Sequence, residues 1–133
     1  MVRSGLAICL GLVLVWSVGC APAPNGPAPA AHVTGTIKLD GQPIPTGEIH
    51  FGMLGVPPSV LEIKNGAFAG EAPIGKNQVE VFIYVEGPPS DKYPGVATKQ
   101  NTTLDKYWGP STTLEATVSA GVANEFKFDI YSK

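Results

Sequence analysis

The side chains that could act as nucleophile and base are few and scattered. His32 and His50 are the only imidazoles in a chain of 133 residues. Ser-His-Asp chemistry requires a histidine that a third group holds against the nucleophile, and no nucleophile elbow or comparable local motif surrounds a serine. The serines considered as nucleophiles are Ser59, Ser90, Ser111, Ser119 and Ser132. The sequence therefore predicts a protein without catalytic residues, which is not an enzyme.

A metal site would have to be built on Glu48 and His50. Residues two apart in a strand share a face, so this pair could reach the same ion. Zinc sites use three or four ligands, and calcium prefers clustered carboxylates, whereas Asp91, Asp105 and Asp129 are isolated. We therefore expect no metal and no other cofactor, and we expect His50 to lie on the solvent face of a strand.

Cys20 points to covalent modification rather than catalysis, because the residues before it have the pattern of an export signal. Arg3 supplies one positive charge, residues 6–15 form an uncharged apolar run, and small residues occupy positions 17–19. This is the order found in a secretory signal peptide. The run is shorter than the roughly 20 apolar residues that a membrane-spanning helix needs. Residues 1–19 are therefore predicted to be a signal peptide.

The stretch Ser17-Val18-Gly19-Cys20 resembles the lipobox of bacterial lipoproteins. The resemblance implies that Cys20 becomes the first mature residue and carries acyl chains on its thiol and its amine. Two chains matter because one gives only marginal, reversible membrane binding. An ordinary signal peptide with an incidental cysteine is the alternative. We expect a membrane-anchored lipoprotein of the bacterial cell envelope, on its outer-membrane or periplasmic side rather than in the cytoplasm.

Residues 20–31 form the predicted tether, in which proline and alanine alternate after Cys20. Such a segment has little to bury and extends toward polyproline II at about 3.1 Å per residue. The other cysteine, Cys9, lies in the signal peptide and would leave with it, so the mature domain must fold without disulfides. The net charge of -2 argues against a nucleic-acid partner.

Residues 32–133 are predicted to form one all-β domain, because apolar and polar residues alternate over short runs between turn signals. Seven such runs indicate a single seven-stranded antiparallel β-sandwich, and Asn65-Gly66 predicts a hairpin turn. The alternation assigns to the core Val33, Ile37, Leu39, Ile49, Phe51, Val79, Val81, Ile83, Val85, Leu114, Ala116, Val118, Phe126, Phe128 and Ile130.

Several turn and core motifs resemble those of carboxypeptidase-regulatory-like, or transthyretin-like (prealbumin-like), modules. The motifs are residues 33–51, 65–68 and 72–81. The tail is similar to that of small bacterial lipoproteins carrying this module, over residues 105–108, 111–118 and 124–130. The resemblance implies a transthyretin-like sandwich with a structural or protein-binding role, since the module is generally an accessory domain rather than a catalyst. Such motifs specify fold better than activity.

Residues 87–110 form a connection longer than the sandwich needs, and long connections are usually functional or disordered. They contain two aromatic–basic clusters, one with Tyr93 and one with Tyr107 and Trp108. These side chains suit recognition of an envelope protein, a peptide or a carbohydrate, or they cap the open end of the core. We expect Tyr107 to cap the core, Tyr93 and Trp108 to stay partly exposed, and the polar residues 98–103 to form a mobile middle.

Three further aromatic residues, Phe82, Tyr84 and Tyr131, have the parity opposite to the core. They predict either an exposed apolar patch that binds a partner or a face that the long connection covers. The second arrangement would account both for these aromatic residues and for the long connection.

Overall fold

The structure is a computed structural model that describes residues 27–133. The signal peptide predicted at 1–19, Cys20 and most of the tether lie outside the described residues. No helix within residues 27–133 is long and apolar enough to cross a membrane. Two short 3-10 turns span Asp105–Tyr107 and Gly109–Ser111. The strands are β1 (Ala30–Leu39), β2 (Gln42–Pro43), β3 (Thr46–Met53), β4 (Val56–Lys64), β5 (Ala67–Pro73), β6 (Gly75–Phe82), β7 (Tyr84–Pro89), β8 (Ala97–Asn101), β9 (Leu114–Val118) and β10 (Asn124–Ile130).

Eight strands form one curled sheet in the order β10-β1-β5-β4-β3-β6-β9, with β2 added to β1, and β7 and β8 form a separate hairpin. Neighbouring strands are antiparallel except β1 and β10, which run parallel from the Val33–Asn124 pair to the Leu39–Ile130 pair. The predicted all-β class is confirmed. The prediction of seven wholly antiparallel strands is wrong, because β2 and the β7–β8 hairpin are additional and the last strand is parallel to the first.

The sheet curls at the β4–β5 hairpin, where the two strands pair only beside their turn, at Lys64 and Ala67. The two halves of the sheet then lie over each other. The ring centroid of Phe51 on β3 is 6.0 Å from that of Phe68 on β5 and 6.0 Å from that of Phe126 on β10. Phe51 therefore joins two layers that have the character of a β-sandwich.

Alternating side chains place the core between these layers, as predicted. On β3, Ile49 and Phe51 are buried, whereas His50 between them lies on the outer face. The same alternation buries Val33 and Ile37 on β1. The buried apolar side chains are Val33, Ile37, Ile44, Ile49, Phe51, Leu61, Ile63, Phe68, Ala72, Val79, Val81, Tyr107, Ala116, Val118 and Ile130.

Six predicted core positions are less buried than expected. Those only partly buried against the core are Leu39, Ile83, Leu114, Phe126 and Phe128. Val85 is 46% exposed. The two phenylalanines are more open because β10 is an edge strand that pairs with β1 alone. Val85 is exposed because the strand predicted over residues 79–85 is interrupted: β6 ends at Phe82, and β7 belongs to the separate hairpin.

The turn between β4 and β5 is the predicted Asn65-Gly66 turn. Both residues have positive φ, 51° and 75°, which is the conformation of a type I′ hairpin turn. A side chain at Gly66 would also be too close to the chain, since its Cβ would lie 2.6 Å from Cβ of Pro43. The Gly66 carbonyl accepts a hydrogen bond from the Ile37 amide at 2.8 Å. The turn therefore fixes the β4–β5 hairpin against β1.

The chain enters the sheet at one end and leaves it for the β7–β8 hairpin at the other. β1 begins at Ala30, opposite Pro73, so Ala30 and Ala31 of the predicted tether are part of the sheet. The Ile74 amide donates to the Pro29 carbonyl at 2.9 Å, beside the β5–β6 turn. We call this end the tether pole. Because β6 starts here and crosses the sheet, its last residue lies at the opposite end, the hairpin pole.

Asn124 ties the loop between β9 and β10 to the tether pole. Its Nδ2 donates to the carbonyls of His32, at 3.1 Å, and of Ser119, at 2.9 Å. Its Oδ1 accepts from the Ser119 amide at 2.8 Å. The side chain is 8% exposed, and these bonds satisfy the polar atoms that burial removes from water.

We expect Phe51→Ala to lower the free energy of unfolding by about 3–5 kcal/mol, because it would open a cavity between the two layers. Phe128→Ala is the matched control, and it should lose less because its ring is only partly buried at the sheet edge. Urea unfolding of both variants measures the difference. A loss for Phe128→Ala equal to or larger than that for Phe51→Ala would contradict this placement of the rings.

Candidate functional site

The β7–β8 hairpin is fixed to the sandwich by hydrogen bonds around Ile83. The Ile83 amide donates to Oγ1 of Thr103 at 2.9 Å and approaches Oδ1 of Asn101 at 3.3 Å. The Ile83 carbonyl accepts from the Thr102 amide at 2.8 Å. We call this set of bonds the Ile83 clasp. Residues 98–103, predicted to be a mobile middle of the connection, form most of β8 and contribute Asn101, Thr102 and Thr103 to the clasp.

Tyr107 is the predicted cap of the core, and the structure confirms it. The side chain is 6% exposed, and its hydroxyl oxygen accepts a hydrogen bond from the Tyr131 amide at 3.1 Å. The Thr113 amide donates to the Lys106 carbonyl at 2.9 Å, which holds the 3-10 turn beside the start of β9. The ring is therefore unavailable to a partner in this structure.

Trp108 and Tyr93 keep exposed surface, as expected, but they lie in different surroundings. Trp108 is 36% exposed, its indole N–H donates to the Thr103 carbonyl at 3.1 Å, and its ring is 6.1 Å from that of Phe82. Tyr93 is 59% exposed in the hairpin loop, with the Lys92 ammonium 5.7 Å from its ring centroid. The three predicted aromatic residues therefore do not form one site.

The three aromatic residues with the parity opposite to the core, Phe82, Tyr84 and Tyr131, also lie in different surroundings. Phe82 is stacked at 6.2 Å against Tyr84 and is contacted by Trp108, so the long connection covers part of this face. Tyr131 is 53% exposed beyond the end of β10. The expectation of a covered face is confirmed for Phe82, whereas Tyr131 does not belong to it.

A groove of about 420 Å³ separates the hairpin from the outer face of β3 and β4. The groove exists because β6 ends at Phe82, opposite Glu48, and β7 then leaves the sheet. Side chains of β7 lie across a gap from the outer face of β3 and β4. One wall of the groove is formed by Thr46, Gly47, Glu48, Val60 and Glu62, and the other by Tyr84, Val85, Glu86 and Lys99.

Carboxylates and one aromatic ring set the electrostatics of the groove. Glu48 and Glu62 are directly opposite each other in the β3–β4 register, an arrangement in which like charges destabilise a sheet. Partial burial raises the pKa of the Tyr84 phenol, and the Glu48 carboxylate raises it further. The Lys99 ammonium lies 5.9 Å from the Tyr84 ring centroid. The Tyr84 ring thus lies near a cation, and the Glu48 carboxylate is close enough to affect the pKa of the Tyr84 phenol.

His50 lies beside the groove with acidic residues on both sides. Its Nε2 is 3.3 Å from Glu48 Oε2, and its Nδ1 is 3.8 Å from Glu80 Oε2. Its ring lies 4.5 Å from that of Phe82. The two carboxylates approach different ring nitrogens, so they do not converge on one point. In the part of the chain that is described, no three His, Cys, Asp or Glu side chains form a group that could hold a metal ion.

The groove was missed by the sequence analysis because its walls are distant in the chain. The exposed positions of β3 and β4 are visible in the alternation, and so are the acidic residues among them. No local pattern brings them against residues 84–99. The available signal was the occurrence of two aromatic residues with the parity opposite to the core, Phe82 and Tyr84, next to a connection too long for a simple turn.

Comparison of the chain with protein-family models, with curated proteins and with solved structures finds no match in any of the three.

We expect Tyr107→Ala to lower the free energy of unfolding by about 3–5 kcal/mol, because it removes a buried aromatic side chain. Tyr93→Ala should change it by less than about 0.5 kcal/mol, since Tyr93 is exposed in a loop. Thermal or urea unfolding of the two variants compares the two roles. Similar losses for both would contradict the assignment of Tyr107 to the core and of Tyr93 to the surface.

Proposed function

We propose that the protein is an exported lipoprotein of the bacterial cell envelope whose transthyretin-like β-sandwich is a non-catalytic module for binding another envelope protein. Acyl chains on Cys20 hold the module to the membrane, and the Pro/Ala tether spaces it from the surface. The support for the anchor is the order of charge, apolar run, small residues and cysteine in the sequence. The support for the fold is the curled all-β sheet and its hairpin turn.

One observation carries the proposed binding role: the hairpin and the start of β1 lie at opposite poles of the sheet. The tether joins β1 at Ala30, beside the β5–β6 turn, whereas the hairpin follows the other end of β6. A chain anchored through this tether presents the base of its hairpin away from the point of attachment. Binding loops held by a rigid scaffold are a common way for proteins to recognise partners.

A carbohydrate is the second candidate ligand, and exposed aromatic rings favour it. Trp108 and Tyr93 keep 36% and 59% of their surface exposed beside the polar side chains of the hairpin. Flat aromatic faces with polar neighbours suit ligands that combine apolar and hydroxyl surfaces. The protein partner remains our proposal because the exposed rings do not converge on one concave site.

Site-specific photo-crosslinking tests the binding role in intact cells. A photo-reactive amino acid replaces Tyr93 in the hairpin loop in one variant and Val122 in the β9–β10 loop in the other; these residues are similarly exposed, at 59% and 61%. We expect a discrete crosslinked protein from position 93 and none from position 122. No adduct at position 93, or the same adducts at both positions, would contradict recognition through the hairpin.

Replacing the proposed acylated residue tests the anchor. We expect Cys20→Ser to move the protein from the membrane fraction to the soluble fraction, because the variant has no thiol to acylate and loses the stable two-chain anchor. Fractionation with intact-mass measurement of the wild type records both effects. Equal membrane retention of the two chains, with no acyl mass on Cys20, would overturn the lipoprotein assignment.

A further inference from the structure

We propose that the groove between the hairpin and the outer face of β3–β4 binds a lysine or arginine side chain carried by an extended segment of the partner protein. This inference rests on the binding role proposed above and names the chemistry that the groove recognises. The groove would hold the basic head between Glu48, Glu62 and the Tyr84 ring, and its apolar surface would contact the stem of that side chain and its neighbours.

The apolar part of the groove suits the stem of a long basic side chain. Val60 on β4 is 53% exposed and Val85 on β7 is 46% exposed, and they lie on opposite walls. Lysine and arginine bury their methylene stems along such surfaces while the charged head stays near water or a partner. Two exposed valines on opposite walls of the groove thus suit the methylene stem of a long side chain better than a fully polar ligand.

The charged part of the groove suits the head of the same side chain. The lining contains three carboxylates, from Glu48, Glu62 and Glu86, and one ammonium, from Lys99. Lys99 and Glu86 are cross-strand partners in the hairpin, so that wall is locally balanced. The opposite wall contributes two carboxylates and no basic side chain to the lining, so the charge it presents to the groove is negative and complementary to a cation.

Glu48 and Glu62 are directly opposite each other on that wall. Each has one neighbour outside the groove lining: Lys64 Nζ is 2.9 Å from Glu62, and His50 Nε2 is 3.3 Å from Glu48. An ionised carboxylate has about four positions at which it can accept a hydrogen bond, so both retain capacity for a further donor. A cation between them would relieve the repulsion that their pairing imposes.

The Tyr84 ring already has one cation near it. The Lys99 ammonium lies 5.9 Å from the ring centroid, within the range of a cation–π contact. An incoming basic side chain at a similar distance would make the same kind of contact with the ring. A bare divalent cation fits less well, because neither Tyr84 nor the two valines offers it a ligand.

The test uses the full-length chain in neutral detergent and two fluorescein-labelled peptides, Gly-Val-Lys-Val-Gly and its twin with acetyl-lysine. Fluorescence anisotropy measures the dissociation constant of each. The variant Glu48→Gln/Glu62→Gln removes both charges and keeps the side-chain size. Glu115→Gln is the matched control, because Glu115 is also exposed on the outer face, on β9, and pairs with Lys76 at 3.0 Å outside the groove.

We expect the lysine peptide to bind the wild type about tenfold more tightly than the acetylated twin, as loss of a charge pair beside an aromatic ring predicts. The double variant should lose that preference, and Glu115→Gln should keep it. The melting temperature of the double variant should stay within about 4 °C of the wild type, since exposed ion pairs contribute little to stability. Added salt should reduce the preference.

Equal affinities of the wild type for the two peptides, no measurable binding of either, or an unchanged preference in the double variant would overturn the inference. So would a preference lost in Glu115→Gln as well, because the effect would then come from the general charge of the sheet. These results leave the binding role itself intact if position 93 still crosslinks to a protein in cells. Absence of that crosslink would instead remove the proposed function on which the inference rests.

Discussion

The hydrogen bonds at Ile83 determine where the surface proposed for binding lies. β6 pairs with β3 up to Phe82. The amide of the next residue, Ile83, donates to Oγ1 of Thr103, and its carbonyl accepts from the Thr102 amide, so neither group bonds to another strand of the main sheet. Backbone groups removed from water must find such partners. The clasp supplies them at the point where the chain departs, and it thereby holds the β7–β8 hairpin across the outer face of β3 and β4.

Phe51 and the Asn65-Gly66 turn provide the rigid part against which the hairpin is held. The ring of Phe51 packs against both layers, and the left-handed turn sets the fold of the sheet between β4 and β5. The inner faces of these strands thus stabilise the fold, and their outer faces form the proposed binding surface. On β3, Ile49 and Phe51 contribute to the core, while Glu48 faces the groove, as the two-residue period of a strand requires.

Local chemistry predicted the all-β class, the core parity of β1 and β3 and the β4–β5 turn, because each depends on neighbouring residues. The break after Phe82 could not be predicted in this way. Ile83 and Val85 continue the apolar parity of Val79 and Val81, and the partner that interrupts the strand, Thr103, is 20 residues away. The parallel pairing of β1 with β10 and the groove depend likewise on contacts between distant segments. The expected burial of Tyr107 is confirmed, but its hydrogen bond to the Tyr131 amide, 24 residues away, could not be predicted from neighbouring residues.

The central claim is that the Ile83 clasp fixes the hairpin, so that the groove exists before any partner binds. Amide hydrogen exchange in the full-length chain tests this claim directly at Ile83 and Thr102. The account predicts that both amides exchange far more slowly than unstructured peptide and that Thr103→Val accelerates exchange at Ile83 while leaving the Phe51 amide in β3 protected. Exchange at Ile83 and Thr102 as fast as in an unstructured peptide, with Phe51 still protected, would contradict it.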